Sequence, residues 1–87
     1  MLIEKRPEQF ADAALDDEVV LIDADSGEFF AIKDSALAIW QRLDKESDLD
    51  RVIASLCEDF HVSAEQCRAD VEVFVAQLAE RGYVRCI

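Results

Sequence analysis

Few residues in this chain could do chemistry. There is one histidine, His61, and there are three cysteines, Cys57, Cys67 and Cys86. Nucleophilic catalysis needs a thiol or hydroxyl beside a base that a third group orients. His61 lies in the junction Phe60-His61-Val62-Ser63, with no second functional group at motif spacing, and reads as a partly exposed loop residue. The cysteines are odd in number and form no C-x-x-C pair, which fits reduced, buried thiols better than a disulfide framework or a zinc site. Carboxylates are plentiful, but Asp16-Asp17, Glu58-Asp59 and Asp23/Asp25 read as solvated faces and turns. A calcium loop needs Asp or Asn at alternate positions closed by a Glu; Asp23-Ala24-Asp25-Ser26-Gly27-Glu28 stops halfway. The only two glycines, Gly27 and Gly82, are too far apart to form a phosphate-cradling loop. These residues predict no catalysis, no metal and no cofactor, and so a binding module.

The frame around them is small and acidic. The chain has 87 residues, with twenty Asp and Glu against nine Lys and Arg, a net charge of −11. That length suits one domain, residues 1–87, with one modest core. At 52% hydrophobic residues the charge does not signal disorder. An acidic surface repels phosphate backbones and anionic lipid, which disfavours nucleic acid and membranes as partners and leaves peptides and proteins. No apolar run approaches the ~20 residues of a membrane span, and Met1 to Pro7 lacks the apolar core of a signal peptide, so a cytoplasmic location is expected.

The elements follow from local patterns. Glu8 to Asp17, after the break at Pro7, reads as irregular or as a short edge strand around Phe10 to Ala14. Val19-Val20-Leu21-Ile22 and Phe29-Phe30-Ala31-Ile32 flank the turn-rich Asp23 to Glu28 and predict a β-hairpin. A hairpin alone is marginal in water, so its apolar face needs a cover. Three helices supply one. The first opens at Asp34 or Ser35 and runs through Leu37, Ile39, Trp40 and Leu43; the second, capped by Ser47 or Asp48, carries Leu49, Val52, Ile53, Leu56 and Phe60 on one face. The third opens with the capping box Ser63-Ala64-Glu65-Gln66, carries Cys67, Val71, Phe74, Val75 and Leu78 as its stripe, and ends at Arg81 and Gly82. Tyr83-Val84-Arg85 then folds back as an extended tail. The sum is an α+β, winged-helix-turn-helix-like fold: an N-terminal antiparallel sheet followed by three helices.

Within that fold the outer strand of the hairpin is the candidate binding element. An edge strand offers unpaired amides and carbonyls to which an extended peptide can add. Phe29 to Ile32 is uncharged, with Glu28 and Lys33 as its only charged flanks. The plainer alternative is that one phenylalanine packs inward while the third helix covers the other.

Val20-Leu21-Ile22-Asp23, then Gly27-Glu28-Phe29-Phe30-Ala31-Ile32-Lys33, then Ala38-Ile39-Trp40-Gln41-Arg42-Leu43, then Asp70-Val71 with Phe74, Leu78 and Gly82, resemble the PqqD-like family. These are the RiPP recognition elements, which bind leader segments of ribosomally made, modified peptides. The resemblance covers about residues 15–84. It implies three antiparallel strands followed by three helices, no catalytic residues, and a leader bound as an extra strand between the third strand and the third helix. Carried over, the pairing strand is Glu28, Phe29, Phe30, Ala31, Ile32 and Lys33. The helical wall is drawn from Cys67, Arg68, Val71, Glu72 and Val75. The sequence departs from the family at Lys33, where Asn is common, and at Ser35-Ala36, where Gly is common. The partners implied are a precursor's leader and a maturation enzyme: a leader peptidase of lasso type or, alternatively, a radical-SAM enzyme of pyrroloquinoline quinone synthesis. A winged-helix DNA-binding regulator is the rival from another class. It is opposed by Glu65, Asp70, Glu72 and Glu80 against Arg68 and Arg81 on the third helix. The overall charge further suggests leaders that carry Lys or Arg beside apolar anchors.

Overall fold

The computed structural model describes all residues from Met1 to Ile87. Two antiparallel sheets pack with three helices around one core. Strands β2 (Phe10–Ala14), β3 (Glu18–Asp23) and β4 (Phe29–Lys33) form the larger sheet in the order β2-β3-β4, so β4 is an edge. A single 3-10 turn at Pro7–Gln9 leads into β2. Helices α1 (Ser35–Arg42), α2 (Leu49–Phe60) and α3 (Ala64–Glu80) follow. The three-stranded sheet and three helices expected from the sequence are all present, in the expected order.

The second sheet was not expected. β1 (Ile3–Lys5) pairs with β5 (Val84–Cys86), Ile3 opposite Cys86, so the extended tail is a strand and its partner is the other end of the chain. Three-residue strands carry no periodicity of their own. They form because Ile3, Tyr83 and Val84 are buried in the same core as Leu21, Ile32, Trp40 and Leu78, and their backbones need partners there.

The capping chemistry is partly as read. The Asp48 carboxylate accepts from the amides of Asp50 (3.0 Å) and Arg51 (3.3 Å), and the Ser63 hydroxyl accepts from that of Gln66 (3.2 Å). The reciprocal half of the box does not form, because the Gln66 side chain donates to Asp70 instead (2.9 Å). At α1 neither candidate caps: Asp34 has φ 58° and ψ −133° and its side chain makes no bond to the helix start. His61 ends α2 in the left-handed conformation, with φ 54°, and Gly82 ends α3 with φ 83°.

The core holds the α3 stripe intact: Cys67, Val71, Phe74, Val75 and Leu78 are all buried. Trp40 is buried too, with the Lys5 ammonium 3.7 Å from its ring centre; that ammonium donates to the Trp40 carbonyl (2.9 Å) and to Asp44 (2.5 Å). Of the three thiols only Cys67 is buried, while Cys57 is half-buried and Cys86 exposed, a correction to the expectation of burial for all three. Burial, with the Cys57 thiol alongside, pushes the Cys67 thiol up to about 11. No helix is long and apolar enough to cross a membrane.

Candidate functional site: the open edge of β4

The phase of the β3–β4 ladder decides what β4 offers. The register sets Ile22 opposite Phe29, Leu21 opposite Phe30, Val20 opposite Ala31, Val19 opposite Ile32 and Glu18 opposite Lys33. Just beyond it the Asp23 amide donates to the Glu28 carbonyl at 2.8 Å. In an antiparallel ladder hydrogen-bonded and non-bonded pairs alternate, so Phe30 and Ile32 direct their amides and carbonyls at β3. Those of Phe29, Ala31 and Lys33 point to the free edge.

Side chains alternate as well. Ile32 and its inward neighbour Leu21 are buried, so Phe30 and Ile32 face the helices, and Phe29, Ala31 and Lys33 face outward. Phe29 is 74% exposed, so no helix covers it. Phe30 is half-buried. Its ring stands edge-to-face 6.3 Å from Tyr83, and the Arg81 guanidinium lies 4.7 Å from its centre. The turn at the base of the hairpin is fixed by Asp23, whose carboxylate accepts from the amides of Asp25 (2.9 Å) and Ser26 (3.0 Å) and from the Tyr83 hydroxyl (3.0 Å). The two backbone amides, with the hydroxyl, hold this carboxyl below its usual range; burial, then Asp23, pushes the Tyr83 phenol up.

Open space lies between β4 and α3. A hollow of about 400 Å³ is lined by Phe30 from β4 and by Gln77, Glu80 and Arg81 at the end of α3. Beyond the other end of β4 a more apolar hollow of about 300 Å³ is walled by Ser35, Ile39, Leu56, Phe60, Val62, Cys67, Asp70 and Val71. Phe60 and Val62, 55% and 43% exposed, stand at its mouth. Only the first hollow is lined by a β4 residue; the apolar one lies among the three helices, next to the β4–α1 junction at Ser35.

The helix residues expected for the wall divide. Cys67 and Val71 line the apolar recess, mainly as core residues. Arg68, Glu72 and Val75 do not face β4: they line a separate hollow with Met1, Leu49, Asp50, Ala76 and Cys86, and Arg68 is ion-paired to Asp50 (2.9 Å) and Glu72 (3.7 Å). The physical reason is helical phase. At about 100° per residue these three project from the side of α3 roughly opposite that of Asp70, Gln77 and Arg81. The side of α3 that shares a hollow with Phe30 carries Gln77, Glu80 and Arg81, and in the sequence Asp70, Gln77 and Arg81 recur on that side at steps of seven and four. Of the strand residues, Phe29 to Lys33 form the edge strand β4, and Glu28 precedes it with its carbonyl accepting from the Asp23 amide.

Three comparisons bear on this geometry. Residues 18–84 match the family described as coenzyme PQQ synthesis protein D (PqqD). A PqqA binding protein of Rhizobium meliloti (strain 1021) is 43% identical over 57 residues, 66% of this chain; the match spans only 58% of that relative's length. The structure of TbiB1 in complex with the TbiA(beta) leader peptide has the same fold, with a TM-score of 0.85 at 21% identity over 97% of this chain and 96% of that one. A lasso peptide synthetase B1 complexed with the leader peptide is 31% identical, with a TM-score of 0.81 over 99% of this chain and 100% of that one.

Proposed function

Because the chain belongs to the PqqD family, whose pattern its residues 18–84 match, we propose that it is a non-catalytic module that captures the leader of a precursor peptide as a fourth strand on β4. The observation that carries this reading is the free edge itself: the amides and carbonyls of Phe29, Ala31 and Lys33 are unclaimed by β3, beside a hollow that Phe30 shares with α3. Main-chain bonds to these groups supply affinity, and side chains reaching the recesses supply selectivity. The solved relatives whose names include a bound leader peptide support the same role.

In this reading residues 1–87 act as one cytoplasmic module that presents the held leader to a maturation enzyme. A leader peptidase of lasso type is favoured by the lasso synthetase B1 likeness, which spans 99% of this chain. A radical-SAM enzyme of quinone synthesis is the second reading, favoured by the 43% identity to a PqqA binding protein. Neither nucleic acid nor membrane is a partner.

Amide hydrogen exchange tests strand addition. In the free protein the Phe30 and Ile32 amides exchange slowly and those of Phe29, Ala31 and Lys33 quickly. Adding the leader of the precursor encoded beside this gene slows the second set. If those three amides keep their free exchange rates in a saturated complex, the peptide binds elsewhere.

A further inference from the structure

Resting on the strand-addition reading, the charges around β4 specify what the added strand carries. Seven ion pairs engage Lys5, Arg6, Arg42, Arg51, Arg68 and Arg85, six of the nine Lys and Arg. Lys33, Lys45 and Arg81 have no carboxylate within 4.0 Å. In a chain with twenty Asp and Glu, carboxylates are in surplus, so an unpaired cation is the exception. Two of the three exceptions flank the same edge. Arg81 lies over the Phe30 ring at the start of β4, in a hollow it shares with Glu80 without pairing to it. Lys33 ends β4, with Glu18 directly opposite on β3 and also out of ion-pair reach.

We propose that this edge selects peptides with two carboxylate side chains three residues apart, one for Arg81 and one for Lys33. An added strand sets one residue beside each residue of β4. The residue beside Phe30 sends its side chain inward, to where Arg81 waits. The residue beside Lys33 sends its side chain outward and completes a Glu18, Lys33, carboxylate row of alternating charge across three strands. Phe30 and Lys33 are three positions apart, so the two acids are three apart whichever way the peptide runs, and they fall on opposite faces, as an odd spacing requires. Between them the residue beside Ile32 faces inward and is apolar. A parallel peptide therefore reads acid, any, apolar, acid, and an antiparallel one reads acid, apolar, any, acid. The net charge of −11 taken alone favours cationic leaders; the two cations without a carboxylate partner reverse that preference locally.

Selection from a displayed library of random dodecamers tests this, with Ala31→Pro as the counter-screen and synthetic copies of the recovered peptides measured by fluorescence anisotropy. Peptides that need the β4 edge are expected to be enriched in Asp or Glu three apart. Lys33→Glu and Arg81→Glu should each weaken them about fivefold. Exchanging only the matching acid for Lys should restore each loss. Should Arg81→Glu fail to fold, Arg81→Gln gives the same direction with about a threefold loss. Peptides that are sensitive to Ala31→Pro yet lack the acid pair, or ignore both charge reversals, overturn this selectivity and leave strand addition standing. Recovery of no peptide sensitive to Ala31→Pro overturns strand addition, and the selectivity with it.

Discussion

Replacing Ala31 with proline separates the free edge of β4 from its paired edge. Because the Asp23 amide to Glu28 carbonyl bond (2.8 Å) fixes the ladder phase, the Ala31 amide makes no bond to β3. Proline removes that amide without breaking the sheet, and its ring then occupies the place where a peptide carbonyl must approach. Edge strands tolerate such a proline, and Phe30 before it is already extended. One lost hydrogen bond is worth about 0.5–1.5 kcal/mol, and the peptide carbonyl left unpaired adds about 1–3 kcal/mol. A loss of about 1.5–4.5 kcal/mol, roughly 10- to 1,600-fold in Kd, is therefore expected by calorimetric titration of a leader peptide. Thermal unfolding should change little. Ile32→Pro, one residue on, is the control: it removes an amide that bonds β3 in a position 1% exposed, so it should lower stability sharply. If Ala31→Pro binds within about twofold of the parent while folded, the leader does not pair with β4 and the edge argument fails.

Other perturbations report on the scaffold. Asp34 holds φ 58° and ψ −133° with no capping bond to lose, so Asp34→Gly should raise stability by about 1 kcal/mol in denaturant titration. Trp40 is 4% exposed; Trp40→Ala should cost about 3–5 kcal/mol by the same measurement, without touching the β4 edge. Asp23 has a folded pKa below its ordinary value, so its contribution is complete above about pH 4 and disappears as pH falls through the folded value. Unfolding temperature followed against pH should show Asp23→Asn separated from the parent at neutral pH and converging with it in acid.

How far the sequence foretold this arrangement depended on how local each signal was. The hairpin was legible because β-branched runs flank a turn-forming segment, whereas β2 was legible only as one of two readings, since Phe10 and Leu15 are the only sizeable apolar residues between Glu8 and Asp17. The starts of α2 and α3 were legible because Asp48 and Ser63 each cap an amide two or three residues away. The β1–β5 pair was not, since nothing in Ile3-Glu4-Lys5 indicates a partner near residue 85. Which side of α3 faces β4 was not legible for a related reason. Its apolar stripe is consumed by the core, and whether Arg68 or Arg81 faces β4 depends on how the helix is rotated about its axis, which its packing on α2, β5 and α1 sets. Arg81 was legible as a helix-end cation; its place over Phe30 was not.

The pairing of Ile3 with Cys86 also sets an order of events during synthesis. The hairpin of β3 and β4 is made early, but the far wall of its groove is α3, and the chain that anchors α3 to the core ends in β5. Local pairing is fast, whereas joining opposite ends of a chain waits on the slowest loop closure. A ribosome-bound chain therefore shows an open apolar edge before it has a groove. The groove is complete only once β5 has paired with β1, and until then mutual repulsion among the acidic chains opposes the pairing of one such edge with another.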